Sequence, residues 1–129
     1  MKDIDSREDL LIIVKDFYEF LFKSEILSHF FKKFKGQDVL DEHLQILVDF
    51  WDNTLFYSGS YTKNAMKPHL MLNKTNPITK AHFKEWILLF NKAVDAKYRG
   101  PNAETIKNRA LSIATVMKLK LSDEKIGKE

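Results

Sequence analysis

The chain predicts an all-α domain, and three observations carry that reading. Apolar residues recur with the 3.6-residue period of a helix in successive segments. No stretch shows the sustained apolar–polar alternation that a half-buried strand needs. Helix breakers fall between the periodic segments: Gly36, Gly59, the pair Asn76 and Pro77, and the triplet Gly100, Pro101 and Asn102. At 129 residues the chain reads as one domain over 1–129, with room for a single core or a single cofactor pocket.

The first helix is expected from Ser6 to about Phe22. Ser6 is its N-cap, with Asp9 three residues on, and Leu10, Leu11, Val14, Phe17, Tyr18 and Leu21 form its apolar stripe. A shorter helical piece, EILSHFFKKF, follows and stops near Gly36. The next helix starts at Asp38 and ends before Gly59, with Leu40, His43, Leu44, Leu47, Trp51 and Leu55 on one face. After Pro77 another carries Phe83, Trp86, Ile87, Phe90 and Val94. The last begins after Asn102 and presents Ile106, Ala110, Ile113, Met117 and Leu121, and the tail SDEKIGKE is expected to fray.

Composition narrows the function classes. A net charge of +3 is spread through the chain, with no basic block beyond KKFK at 32–35, which argues against nucleic acid as a main partner. The absence of cysteine excludes disulfides, thiolate metal sites and thiol catalysis, and permits a reducing compartment. No apolar run approaches the ~20 residues that span a bilayer, and the N-terminus lacks a signal-peptide pattern. The expected setting is therefore the cytoplasm, with no membrane partner. Ten phenylalanines imply a bulky interior.

Polar groups sit where that interior should be apolar. Tyr18, His43 and Trp86 lie on the apolar stripes of three different helices, and together they offer a phenol, an imidazole and an indole N–H to one interior. Such a set suits a cavity holding something polar within an apolar lining. Between Gly59 and about Thr79 lie some twenty residues without clear periodicity, long for a connection inside a compact domain. His69 stands in the middle, behind Pro68, which stiffens the backbone, and among Met66, Leu70, Met71 and Leu72. A metal held by side chains alone fits poorly, because there is no HExxH and the histidines at 29, 43, 69 and 82 form no pair at helical spacing. A flat apolar cofactor that brings its own metal needs one protein ligand, and His69 is the candidate. The competing reading is a non-haem all-α interaction module whose aromatics are core.

The ordered set of Tyr18 in DFYEF, Phe31 in HFFKKF, His43 in DEHLQILVDFW, His69 in KPHL and Trp86 in HFKEWILLF resembles the truncated haemoglobins, specifically their third group. The resemblance runs from about Ser6 to Leu121. It implies a shortened globin, a two-over-two helical sandwich enclosing haem b, with the helix before the proximal histidine reduced to a loop or single turn. By the same likeness His69 is the proximal ligand of the haem iron and Phe31 packs against the porphyrin. Tyr18 and Trp86 line the distal side, His43 stands on the distal helix near the pocket entrance, and Leu47 is its apolar neighbour one turn along. Met66 and Leu70 belong to the apolar lining around His69. The implied function is reversible binding of oxygen, nitric oxide or another diatomic ligand at an open sixth position. Nitric oxide dioxygenase or peroxidase-like turnover would draw electrons from an external reductase, since the chain shows no flavin or nicotinamide site. Pro68 has no role in that pattern, and His29 and His82 read as surface residues.

Overall fold

The computed structural model describes residues 1–57 and 79–127, and every regular element among them is helical. In chain order these are α1 (Arg7–Lys23), a 3-10 helix, η1 (Ser28–Phe34), α2 (Gln37–Phe56), α3 (Lys80–Asp95) and α4 (Pro101–Gly127). None of the described helices is long and apolar enough to cross a membrane.

Local chemistry sets each boundary. The Ser6 hydroxyl accepts the Asp9 N–H at 3.3 Å, Glu8 and Asp9 occupy the first turn of α1 and Lys23 the last, so charge complements the helix dipole at both ends. The helical piece expected over 25–34 narrows to the 3-10 turn of η1. With three residues per turn, Phe31 and Phe34 fall on one side, and together with Phe30 all three rings reach the interior. α2 ends in Tyr57, whose φ of 54° is left-handed and whose N–H closes the helix on the Asn53 carbonyl at 3.0 Å. Pro101 opens α4, where its missing N–H costs nothing. The backbone of α4 runs to Gly127, through most of the tail expected to fray, since no breaker precedes that glycine.

The first five residues carry a role that periodicity does not reveal. The Asp3 carboxylate accepts the N–H groups of Asn102 and Ala103, each at 2.9 Å, and so caps α4 from a distant part of the chain. Asn102 Nδ2 donates to the Ile4 carbonyl at 2.7 Å, and the Arg99 N–H donates to that of Lys2 at 2.9 Å. Gly100 makes the approach feasible: its φ is +147°, and a Cβ there would stand 2.5 Å from Asp3 Cγ. Ile4 is thereby fully buried.

Helix α1 packs against both α2 and α3, α3 against α4, and η1 closes on α1 and α2. Their apolar faces meet in one core containing Leu10, Val14, Phe17, Leu44, Val48, Phe90, Val94, Ile106 and Ala110. Burial along α3 is uneven. Its second half is covered, with Leu89, Phe90, Ala93 and Val94 buried, while Phe83, Trp86 and Ile87 in the first half are only half-buried. On α2, Leu47 and Phe50 are likewise half-buried beside the buried Val48 and Trp51.

Candidate functional site

The spacing that buries Val14 and Leu21 on α1 also buries Tyr18 between them, and on α2 the spacing that buries Leu44 brings His43 inward with it. The two meet. The Tyr18 hydroxyl oxygen lies 2.6 Å from His43 Nε2, with the residues 2% and 8% exposed. His43 is thus enclosed, with its ring stacked on Phe34 at 4.0 Å and an interplanar angle of 13°. Phe31 and Phe22 stand edge-on to Tyr18, at 5.6 and 6.0 Å between ring centres. Phe31 is therefore part of the aromatic wall around the phenol.

Burial pushes the Tyr18 phenol up, so it keeps its proton at neutral pH and is a hydrogen-bond donor. Phenol is the better proton donor of the pair and imidazole nitrogen the better acceptor. We therefore assign the bond as Tyr18 O–H to Nε2, with the imidazole proton on Nδ1.

Trp86 reaches the same region from α3. Its ring stands edge-on to Phe17 at 5.5 Å and stacks over Phe90 at 6.0 Å. Phe17 in turn lies edge-on to Tyr18 at 5.7 Å, so one phenylalanine separates the indole from the phenol. Leu47 packs, half-buried, on the same core. The structure accordingly gathers Tyr18, Phe31, His43, Leu47 and Trp86 about one interior. His69, Met66 and Leu70 lie outside the described residues. Among the described residues, no group of three His, Cys, Asp or Glu is placed to hold a bare metal ion.

Sequence reasoning missed two partners. Phe34, which stacks on His43, was visible only as one more aromatic in a short segment. His82, read as a surface residue, is half-buried and completes a capping box: Thr79 Oγ1 accepts the His82 N–H, and His82 Nδ1 accepts the Thr79 N–H at 2.9 Å. The signal was present in the spacing, a threonine three residues before a side chain able to accept. Phe30 lies against the His82 ring at 4.8 Å, and His29 stands 6.2 Å from it.

Burial and then the neighbouring His29 hold the His82 pKa below its ordinary value, and the cap itself requires an unprotonated Nδ1. The folded state therefore prefers the neutral ring. Its stabilisation is complete above the unfolded value near 6.5 and is lost as pH falls toward the lower folded value. Urea unfolding followed from pH 7.5 to 5 should show a loss of about 1 kcal/mol, modest because the ring is partly solvated. His82→Gln, which keeps an acceptor but does not titrate, should flatten that dependence. An equal slope in the variant would show that the cap is not the titrating element.

Comparison with known proteins adds an independent line. No family model matches the chain. A curated relative, the group 3 truncated hemoglobin of Campylobacter jejuni, is 27% identical over 112 residues, which are 85% of this chain and 86% of that one. The crystal structure of a group III truncated hemoglobin from Campylobacter jejuni matches with a TM-score of 0.81 at 26% identity, covering 94% of this chain and 95% of that one. With every regular element among its described residues helical, the fold is a shortened globin.

Proposed function

We propose that this chain, which resembles the group III truncated haemoglobins in sequence and in fold, is a haem globin that holds a diatomic ligand such as oxygen or nitric oxide beside Tyr18. The observation that carries the reading is the buried Tyr18–His43 pair, a phenol that burial keeps protonated, 2.6 Å from an imidazole nitrogen inside an aromatic wall. The uneven burial of α2 and α3 fits the group as well, because Leu47, Phe50 and Trp86 offer half-covered apolar surface of the kind a flat porphyrin packs against.

In this reading His69 is the protein ligand of haem b, with Met66, Leu70, Phe31 and Leu47 around the macrocycle. When bound, haem would supply an iron centre able to bond a diatomic ligand. The remaining chemistry belongs to the chain. Tyr18 keeps a donor proton inside a dry enclosure, and Trp86 brings a second group that can only donate. His43 competes for the Tyr18 proton. Donors so placed stabilise partial negative charge on a ligand and slow its release. Retained oxygen then suits nitric oxide dioxygenation or peroxidase-like turnover, with electrons delivered by an external reductase. The two-over-two arrangement belongs to this proposal, as does a cytoplasmic setting, which the lack of cysteine supports.

Titrating the purified chain with hemin tests the reading. A Soret band that saturates at one haem per chain is expected. A chain that remains colourless would overturn it, and would leave the Tyr18–His43 bond as core packing in a non-haem interaction module. Stopped-flow mixing of the oxygenated protein with nitric oxide then separates turnover from storage or sensing: rapid conversion to nitrate is expected of a dioxygenase, and a slow reaction excludes that activity.

A further inference from the structure

A groove of about 230 Å3 runs between α3 and α4, on surface that the haem proposal does not use. Phe83 and Ile87 of α3 and Leu111 and Ala114 of α4 form its apolar floor. Lys80 and Lys84, one turn apart on α3, and Lys118 on α4 stand around it, and the lining contains no acidic residue. Other cations of the chain are engaged: Lys97 by Asp16 at 2.9 Å, and Lys107 by Asp95 at 2.7 Å. Among the described residues no carboxylate engages any of the three groove lysines. Apolar surface continues beyond the rim, since Leu111 is 53% exposed and Leu88, one turn on from Lys84, is 56% exposed.

An apolar floor ringed by three ammonium groups is complementary to one bulky apolar side chain flanked by carboxylates. A second copy of this chain is a poor occupant, because a two-fold contact through this face would bring six lysines together. Nucleic acid is also a poor occupant, because three cations around an apolar floor do not track a phosphate backbone. The volume is below the ~300–1,000 Å3 typical of drug-sized pockets, which points to a shallow protein contact. Electron-transfer encounters are of this kind, small and electrostatically guided.

The position favours such a donor. Phe83 and Ile87 flank Trp86 on the same helix, and Trp86 contacts Phe17, the neighbour of Tyr18. A protein seated in the groove therefore rests on the helix that carries Trp86. We propose that the lysine-rimmed groove between α3 and α4 is the docking site of an acidic one-electron carrier protein that keeps the haem iron ferrous. The inference rests on the haem reading above. One electron passes from the carrier's cofactor to ferric iron, so the carrier is oxidised by one electron and the iron reduced by one, with no bond made or broken.

Reduced flavodoxin, an acidic flavoprotein, is a suitable probe. Stopped-flow reduction of the ferric haem protein should be compared for the wild type, for K80E/K84E/K118E, and for K15E/K23E/K35E, which makes the same charge change elsewhere. The groove variant should lose roughly tenfold or more in second-order rate, and the wild-type rate should fall with added salt. The control variant should change little, and dithionite should reduce all three alike. Equal losses in both variants, or a wild-type rate in the groove variant, overturns the site. Amide NMR shifts report docking without redox chemistry: oxidised flavodoxin should move Phe83, Ile87, Leu111 and Ala114, and silence at these positions overturns the proposal even where reduction proceeds. A salt-stable dimer of the chain that K84E disrupts would also overturn it, by giving the face a different occupant. A chain that takes no hemin fails the haem reading instead, while the NMR mapping still decides the docking.

Discussion

Asp9→Ala is expected to lower the free energy of unfolding by about 3 kcal/mol, because it leaves the buried Tyr98 hydroxyl and the Asp5 N–H without their charged acceptor. Asp9 is 5% exposed, and its carboxylate joins three parts of the chain. It accepts the Asp5 N–H at 3.0 Å, the Lys2 ammonium at 2.9 Å and the Tyr98 hydroxyl at 3.0 Å. Burial works against its charge, but these donors prevail and hold the carboxyl well below the usual carboxylate range. The stabilisation is therefore full above the unfolded value of 3.8 and is lost as pH falls through the folded value. Tyr98 behaves in the opposite sense. Burial, reinforced by Asp9, pushes its phenol up to about 12, so the neutral form is favoured and its contribution is lost as pH rises from 10 toward 12. Urea unfolding at pH 7 measures the main effect, and melts between pH 2 and 5 should be flatter in the variant. Asp9→Asn keeps an acceptor and should fall between the two, with a loss of about 1–3 kcal/mol. A variant as stable as the wild type would mean that solvent already satisfies these donors.

The contrast between Asp9 and Tyr18 shows what was legible in the sequence. Tyr18 was visible because helical periodicity projects every fourth residue or so onto one face, and a phenol on an apolar stripe stands out. Asp9 lies on α1 too, but it appeared only as a first-turn acid beside an N-cap. Its network depends on Lys2 and Tyr98, far apart in the chain, and local periodicity carries no information about such long-range pairing. The same holds for Asp3 capping α4 across about a hundred residues. Helix starts were readable where the cap is local, as at Ser6, because the capping group and the N–H it satisfies are three residues apart. His82 was as local and was passed over, because an imidazole is an unusual third-residue partner in a capping box. The half-buried side chains of Phe83, Trp86 and Ile87 were readable as a stripe, but their incomplete burial was not, since periodicity gives direction without depth.

The Tyr18–His43 pair yields a prediction in which two substitutions act in opposite directions. Tyr18 has a single O–H, assigned above to His43 Nε2, which lies 2.6 Å from the hydroxyl oxygen. A bound ligand and His43 therefore compete for that proton. In the haem protein, Tyr18→Phe removes the donor altogether, and oxygen dissociation should speed up roughly ten- to a hundredfold, the equivalent of one bond of about 1–3 kcal/mol. His43→Leu instead removes the competitor. The phenol stays protonated, because burial holds its pKa up, and its O–H becomes free to turn toward the ligand. Oxygen release should then slow by several-fold. Because His43 acts through Tyr18, the double variant should match Tyr18→Phe alone, a non-additivity expected of residues in one hydrogen-bond unit. Stopped-flow replacement of oxygen by carbon monoxide measures all four rates. Faster release in both single variants would place the imidazole itself on the ligand and reverse the proton assignment between the two rings.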